Sequence, residues 1–173
     1  REHIAYVPQD NYMFSDSLEN NIKFGKLDAS HDEVVQACKD ACVHDNIIDF
    51  PMQYETVVGE RGVTLSGGQK QRCSIARALL KEAKILILDD ALSAVDTDTE
   101  DQILEHLKTR RANQTTIMIA HRISTVRNAD HILVLDEGKC AEYGTFDELM
   151  AKNGVFKEMY DKQQLEKQLT LDM

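Results

Sequence analysis

Long apolar runs are missing from this sequence. The longest uninterrupted apolar stretches are no longer than Ile85–Leu88, whereas a membrane-spanning helix needs about 20 predominantly apolar residues. The N-terminus lacks an initiator Met, a basic start and an apolar signal core, so it does not resemble a secretion signal. We therefore expect no membrane span within these residues, and we expect the chain to be a piece of a longer protein.

Basic residues are outnumbered by acidic residues in this sequence. The 173 residues contain 20 Lys and Arg against 30 Asp and Glu, which gives a formal net charge of −10. Proteins that bind nucleic acid or an anionic membrane surface concentrate basic residues on one face. The excess of acidic residues therefore argues against both partners. Hydrophobic residues make up 42% and charged residues 29%, which is typical of a folded protein.

Cysteines are few, and the sequence contains no CxxC pair. The four residues at positions 38, 42, 73 and 140 form no disulfide framework and suit a reducing compartment. Cys38 and Cys42 lie one helical turn apart with His44 nearby, so a metal site is an open alternative. Small side chains in a core are the commoner explanation, because a fourth ligand is missing.

Four short runs rich in Leu and β-branched residues predict strands. They are residues 4–7, 85–88, 116–120 and 132–135. The last three are continuous enough to predict strands that are buried on both faces, as in a parallel sheet covered by helices. We therefore expect an α/β fold with a doubly wound sheet.

Helical patterns separate these strands unevenly. They cover residues 32–43, 67–81, 99–111, 146–152 and 155–168. After residue 81 helices alternate with strands, whereas residues 14–81 contain no credible strand. We therefore predict an all-helical subdomain over 13–81, inserted between 1–12 and 82–173, which together form the α/β core.

Residues Leu65–Gln69 read Leu-Ser-Gly-Gly-Gln and lead directly into a helical pattern. Ser66 is a good N-cap, and Gln69 three residues later completes the spacing of a capping box. The glycines allow a bulky anion to approach the backbone, and the helix start offers free amides. The pattern favours a phosphate-facing helix terminus, and an ordinary turn before a capped helix is the alternative.

The run Ile85–Asp90 is an apolar strand that ends in two carboxylates. The carboxyl end of a strand is the usual ligand edge of an open α/β sheet. Mg²⁺ is held there by one carboxylate together with substrate phosphates, which suits Asp89. Asp90 is then placed to orient or deprotonate a water. Ile132–Asp136 has the same outline, and we expect it to be structural.

The order of these segments resembles the nucleotide-binding domain of ATP-binding cassette (ABC) transporters. The resemblance implies a partial P-loop NTPase core, a mostly parallel sheet flanked by helices, with an all-helical subdomain inserted. It rests on six motifs: Gln9 as the Q-loop glutamine, residues 56–62 as the X-loop of exporters, 65–69 as the signature, 85–90 as Walker B, 93–96 as the D-loop and His121 as the switch histidine.

The resemblance also implies a set of roles, with ATP and Mg²⁺ as the cofactors. These are Asp90, His121 and Gln9 in catalysis, Asp89 and Gln9 at Mg²⁺, Ser66, Gly67, Gly68, Gln69 and Asp96 in nucleotide binding, and Glu60 in coupling to the transmembrane domain. In the family, two nucleotide-binding domains sandwich ATP, and each signature serves the nucleotide held by the other chain. The location implied is the cytoplasmic face of the cell membrane.

Two features depart from the family pattern. No G-x-x-x-x-G-K-[ST] phosphate loop occurs in the sequence, and in the family that loop precedes the Q-loop, so we expect it upstream of Arg1. Asp90 stands where most members have Glu. A shortened acid beside an intact signature resembles the degenerate-site chain of a heterodimeric exporter. The alternatives are a non-catalytic interaction fragment and a soluble ABC ATPase outside transport.

Overall fold

Three strands lie side by side in a parallel sheet. The computed structural model describes residues 2–59 and 63–171, and the sheet has the strand order β1-β2-β3. These strands are β1 (Ile4–Val7), β2 (Ile85–Asp89) and β3 (Thr115–Ile119). Because β2 is central, its last residue, Asp89, lies at the carboxyl edge of the sheet between two neighbouring strands.

The sheet is buried on one face. Leu86 and Leu88 of β2 are 0% and 2% exposed and share a hydrophobic core with Ile75 of the helical segment. On the opposite face, Ile117 and Ile119 of β3 are 46% and 50% exposed. The prediction that β3 is buried on both faces is therefore wrong for this structure, since Ile117 and Ile119 are exposed on the face opposite the core.

The segment between β1 and β2 is helical apart from two isolated β-bridges, as predicted. Its helices are α1 (Leu18–Lys23), α2 (His31–Asp40), α3 (His44–Ile48) and α4 (Gly67–Leu80), with a short 3₁₀ turn at Gln53–Glu55. The helix α5 (Thr97–Arg110) follows β2. Helix α2 ends before the predicted residue 43, because Cys42 has a φ of 53°, which is incompatible with a right-handed helix.

Arg77 of α4 ties the helical segment to the chain that follows β1. Its Nε donates to the carbonyl oxygen of Asn21 at 2.7 Å, and its Nη1 donates to that of Tyr12 at 3.2 Å. The guanidinium also lies 5.7 Å from the ring centroid of Phe14, a distance at which a cation is attracted to the ring. The position of residues 12–14 is thus fixed by α4.

The remaining elements belong to a second compact unit, His121–Met173, which is separate from Arg1–Ala120. They are α6 (Ile123–Val126), β4 (Ile132–Asp136), β5 (Lys139–Gly144), α7 (Phe146–Lys152) and α8 (Val155–Leu171). This unit has its own hydrophobic cluster, which includes Leu149 and Phe156.

The structure corrects the prediction for β4. This strand pairs antiparallel with β5 and does not join the parallel sheet, and its Leu133 and Leu135 are 55% and 66% exposed. The physical reason is the two-residue turn Glu137–Gly138, in which both residues have a positive φ. Such turns match the twist of an antiparallel hairpin.

No helix among the described residues combines the length and the apolar character that crossing a bilayer requires. The predicted subdivision at residues 12 and 81 stays a prediction.

Candidate nucleotide site

Two adjacent carboxylates mark the carboxyl edge of the parallel sheet. Asp89 is the last residue of β2, and its Oδ2 accepts a hydrogen bond from the hydroxyl of Tyr6 at 2.8 Å. This hydrogen bond raises the pKa of the Tyr6 phenol, because the carboxylate favours the protonated donor. Tyr6 was not predicted from the sequence, since its relation to Asp89 depends on the register between β1 and β2.

Asp90 is held in an unusual backbone conformation. Its φ is 48°, in the left-handed region that side-chain-bearing residues rarely adopt. Its backbone amide donates to the carbonyl oxygen of Ile119 at 2.9 Å, which extends the pairing of β2 with β3. The Oδ2 of Asp90 accepts from Nε2 of Gln9 at 3.4 Å. The structure thus brings together two of the residues predicted to act in catalysis.

The loop that follows Asp90 is tied to helix α4 by a buried glutamine. Gln71 is 5% exposed. Its Nε2 donates to the carbonyl oxygen of Asp90 at 3.3 Å and to Oγ of Ser93 at 3.0 Å, and its Oε1 accepts from the amide of Ala94 at 2.9 Å. Sequence reasoning missed Gln71, and its position two residues after the Leu-Ser-Gly-Gly-Gln run is the one signal that points to it.

The start of α4 has the predicted capping box. Oγ of Ser66 accepts from the amide of Gln69 at 3.2 Å, and Oε1 of Gln69 accepts from the amide of Ser66 at 2.9 Å. Ser66 and Gly67 are exposed at this helix terminus. The first turn of α4 therefore points ordered backbone and hydroxyl groups toward the surface, where they are accessible to an anion.

The two glycines of this turn have different surroundings. A Cβ on Gly68 would lie 2.7 Å from the carbonyl oxygen of Ala94, which is closer than real side chains come. A Cβ on Gly67 would lie at an ordinary 3.5 Å from Cβ of Ala94. Gly68 is therefore required by the packing of α4 on the loop after β2, in addition to any role toward a ligand.

Asp96 ends the same loop as the N-cap of α5. Its Oδ1 accepts from the amide of Thr99 at 3.0 Å, and this hydrogen bond lowers the pKa of the Asp96 carboxyl. The side chain is exposed. Its observed contact is a helix cap, and the predicted role in linking two nucleotide sites stays a prediction.

Comparison with known proteins agrees with this geometry. The sequence profile of the family described as "ABC transporter" matches residues 1–93, more than half of the chain. The chain belongs to the ABC transporter family. Domains of this family bind ATP with Mg²⁺.

Two similar proteins carry names of the ATP-binding cassette family. The chain is 50% identical to ATP-binding cassette sub-family B member 6 of Xenopus tropicalis over 95% of its length and 19% of that protein. It is 51% identical to the "Probable multidrug resistance ABC transporter ATP-binding/permease protein YheI" of Bacillus subtilis (strain 168), over 95% of its length and 28% of that protein. The chain thus spans less than a third of these relatives.

A solved structure has the same fold. It is a bacterial Atm1-family ABC exporter with ATP bound, which matches with a TM-score of 0.91 and 46% sequence identity, over 95% of this chain and 29% of the other. The prediction of an ABC exporter nucleotide-binding domain, with a partial P-loop NTPase core, is therefore confirmed.

The residues of this ABC domain fit a nucleotide-held Mg²⁺. Asp89, Asp90 and the amide oxygen of Gln9 offer hard oxygen donors at one edge of the sheet. Mg²⁺ keeps several waters and takes one or two carboxylates together with phosphates. Within residues 2–59 and 63–171, no group of three or more His, Cys, Asp or Glu side chains is arranged to hold a metal ion by itself. A pair of adjacent carboxylates suits a Mg²⁺ ion that also takes phosphate oxygens.

Two predicted site residues have roles that this geometry does not test. His121 belongs to the second unit, where it is exposed and its carbonyl oxygen accepts from Nε2 of Gln163 at 2.7 Å. Glu60 lies outside the described residues. The roles of both residues stay predictions.

Proposed function

We propose that this chain is part of the ATP-binding and ATP-hydrolysing subunit of an exporter at the cytoplasmic face of a membrane. ATP-driven dimerisation of two nucleotide-binding domains would power efflux. The observation that carries the proposal is the convergence of Gln9, Asp89 and Asp90 at one edge of the sheet. The names of the similar proteins, which include ATP-binding and permease parts, support it.

The chemistry assigned to each residue follows from its position. Asp89 would hold Mg²⁺, which neutralises charge on the transferred phosphoryl group. Asp90 would accept a proton from the attacking water. The amide of Gln9 contacts Asp90 and would orient the Asp90 carboxylate. His121 would contact the γ-phosphate. Each of these steps requires a phosphate loop, a motif that the 173 residues do not contain.

The length of the Asp90 side chain supports a slow site. Asp is one methylene shorter than the Glu found in most members, and a misplacement of about 1 Å can lower a catalytic rate roughly a hundredfold. We infer that Asp90 belongs to a site that holds ATP with little turnover. Ser66, which is exposed, and Gly68 would bind the γ-phosphate at the hydrolytic site of a different half-transporter.

Coupling to a transmembrane domain would use the surface next to the Q-loop. A cavity of about 250 Å³ lies there. Its lining includes Tyr12 and Met13 after the Q-loop, Gly59 and Val63 on either side of the undescribed segment that contains Glu60, and Lys70 of α4. We infer that a cytoplasmic coupling helix of the transmembrane domain enters this cavity.

The test is affinity purification of the full-length protein from its native membranes. Mass spectrometry then identifies the proteins that co-purify with it at equal stoichiometry. We expect a second half-transporter with a phosphate loop, a Walker B glutamate and an altered signature. In that assembly, D90E restores the missing methylene and should raise ATP turnover at this site by up to about a hundredfold. Recovery of this chain alone would contradict the heterodimer.

The 173 residues by themselves contain no phosphate loop. We infer that they bind ATP weakly or not at all, because the main phosphate contacts are not among them. Titration of the 173-residue chain and of an upstream-extended form with ATP and Mg²⁺ tests this inference. Equal affinities would contradict it.

A further inference from the structure

We propose that Gln71 couples the signature motif of this chain to its D-loop and to the backbone of Asp90. Nucleotide binding at the signature would then affect the loop at residues 90–96, and nucleotide binding at Asp90 would affect the signature. The inference rests on the proposed function, because it requires the signature and Asp90 to face nucleotide. Gln71 is a positioning residue in this proposal, since its contacts are with Asp90, Ser93 and Ala94.

The contacts of Gln71 all lie on one loop. The amide group uses both its nitrogen and its oxygen on residues 90–94, over 2.9 to 3.3 Å. The side chain is 5% exposed, and a buried amide that loses its partners is costly to retain. The loop and α4 are therefore held in one relative position as long as these hydrogen bonds persist.

Asp90 needs such support because its backbone is strained. A φ of 48° costs a residue with a side chain about 1 to 2 kcal/mol relative to ordinary conformations, and such strain persists only where the surroundings enforce it. The carbonyl oxygen of Asp90 accepts from Gln71 and also from Oγ of Ser93 at 2.9 Å. These two donors fix the peptide that aims the Asp90 carboxylate.

The other end of the connection is the signature itself. Helix α4 begins at Gly67 and is continuous from there past Gln71, so a displacement of its first turn moves the Gln71 amide as well. In the same turn, a Cβ on Gly68 would lie 2.7 Å from the carbonyl oxygen of Ala94, so the loop leaves no room for a side chain there. A phosphate bound at Ser66 and Gly68 would thus act on residues 90–94 in two ways, through the close packing at Gly68 and through the hydrogen bonds of Gln71.

The experiment measures hydrogen exchange in the full-length protein in its native assembly, with and without a non-hydrolysable ATP analogue and Mg²⁺. Two peptides are compared, one covering the signature at 65–69 and one covering the loop at 90–96. Coupling between two sites typically changes the affinity at one of them by about 5- to 150-fold when the other is occupied. We expect the analogue to slow exchange about tenfold in both peptides of the unaltered protein.

The variant Q71M keeps the size of the side chain and removes its hydrogen bonds. We expect it to retain protection of the signature peptide and to lose the analogue-dependent protection of the loop. The matched control is Q36M, which removes the hydrogen bond from exposed Gln36 to Oδ1 of Asp40 on α2 and should leave both peptides protected. A second variant, S93A, alters an exposed residue of the loop and should reduce the loop protection in part.

The outcomes separate the two levels of the proposal. Loop protection that is unchanged in both Q71M and S93A overturns the coupling role and leaves the proposed function standing. A lack of protection at the signature in the unaltered protein overturns the proposed function, and the coupling inference with it. If Q71M does not assemble, the S93A result alone decides.

Discussion

Two strands of this protein have nearly the same sequence and different surroundings. Residues 85–90 read Ile-Leu-Ile-Leu-Asp-Asp and residues 132–137 read Ile-Leu-Val-Leu-Asp-Glu. In both, an apolar strand ends in Asp and the next residue has a positive φ, 48° at Asp90 and 46° at Glu137. Only the first of the two lies at a candidate site.

The difference lies in what meets the strand end. Asp89 accepts a hydrogen bond from the hydroxyl of Tyr6, and the carbonyl oxygen of Asp90 accepts one from the side chain of Gln71 on α4. After β4, the chain turns through Gly138, where an added Cβ would meet nothing within 4 Å, and returns as β5. A carboxylate at a strand end thus becomes part of a site only where a second element of the fold converges on it.

The largest expected difference between the two strands is in stability. L86A removes a side chain that is 0% exposed, and L135A removes one that is 66% exposed. We expect L86A to lower the free energy of unfolding by about 3 kcal/mol, because it leaves a cavity in the core. L135A should change it by less than about 0.5 kcal/mol, as for other surface substitutions.

Urea denaturation of the 173-residue chain, followed by circular dichroism, measures both values. Equal losses in the two variants would mean that Leu135 is covered in solution, and the contrast between a buried central strand and an open hairpin would then fail.

Much of the first region could be predicted from sequence because its signals are local. The capping box of Ser66 and Gln69 depends on a spacing of three residues, and the strand that ends at Asp89 depends on one apolar run. Both are confirmed. Tyr6 and Gln71 could not be predicted in this way. Their roles depend on the register of β1 against β2 and on the packing of α4 against a loop, which no local pattern encodes.

The wrong prediction for β4 has a comparable cause. An apolar run does not show which strand it pairs with. The continuity of the run at Ile132–Leu135 predicts a parallel strand that is buried on both faces. The decisive signal lay just beyond it, in the sequence Glu137-Gly138, where Gly favours a tight hairpin turn. The short helix α1 was also missed, although Ser17 caps it.

The second contrast concerns Mg²⁺. We expect D89N to weaken Mg²⁺-dependent nucleotide binding by the full-length protein about a hundredfold, because it removes the carboxylate that holds the cation, an interaction worth several kcal/mol. D136N makes the same change at the end of β4 and should have no such effect. Titration of Mg²⁺ at fixed nucleotide concentration measures both, and equal affinities in the two variants would show that the end of β2 is not the cation site.

The smallest effect is expected at Tyr6. Y6F removes the hydroxyl that donates to Oδ2 of Asp89 at 2.8 Å, and groups that orient a metal ligand typically change metal affinity by 10- to 100-fold. Tyr6 is 53% exposed, so water can replace the lost donor in part, and we expect a loss of about tenfold or less. Because the hydrogen bond raises the pKa of Tyr6, the phenol stays protonated at neutral pH and the loss should not vary between about pH 6 and 8.

The matched control for Y6F is Y143F in the hairpin. Tyr143 is 55% exposed, close to the exposure of Tyr6, and it stacks on His131 with ring centroids 5.3 Å apart. Removal of its hydroxyl should leave the Mg²⁺ titration unchanged. If Y6F binds Mg²⁺ and nucleotide as the unaltered protein does, Asp89 is oriented by the strand alone. The difference between the two regions would then rest on Gln71 and the loop that it holds.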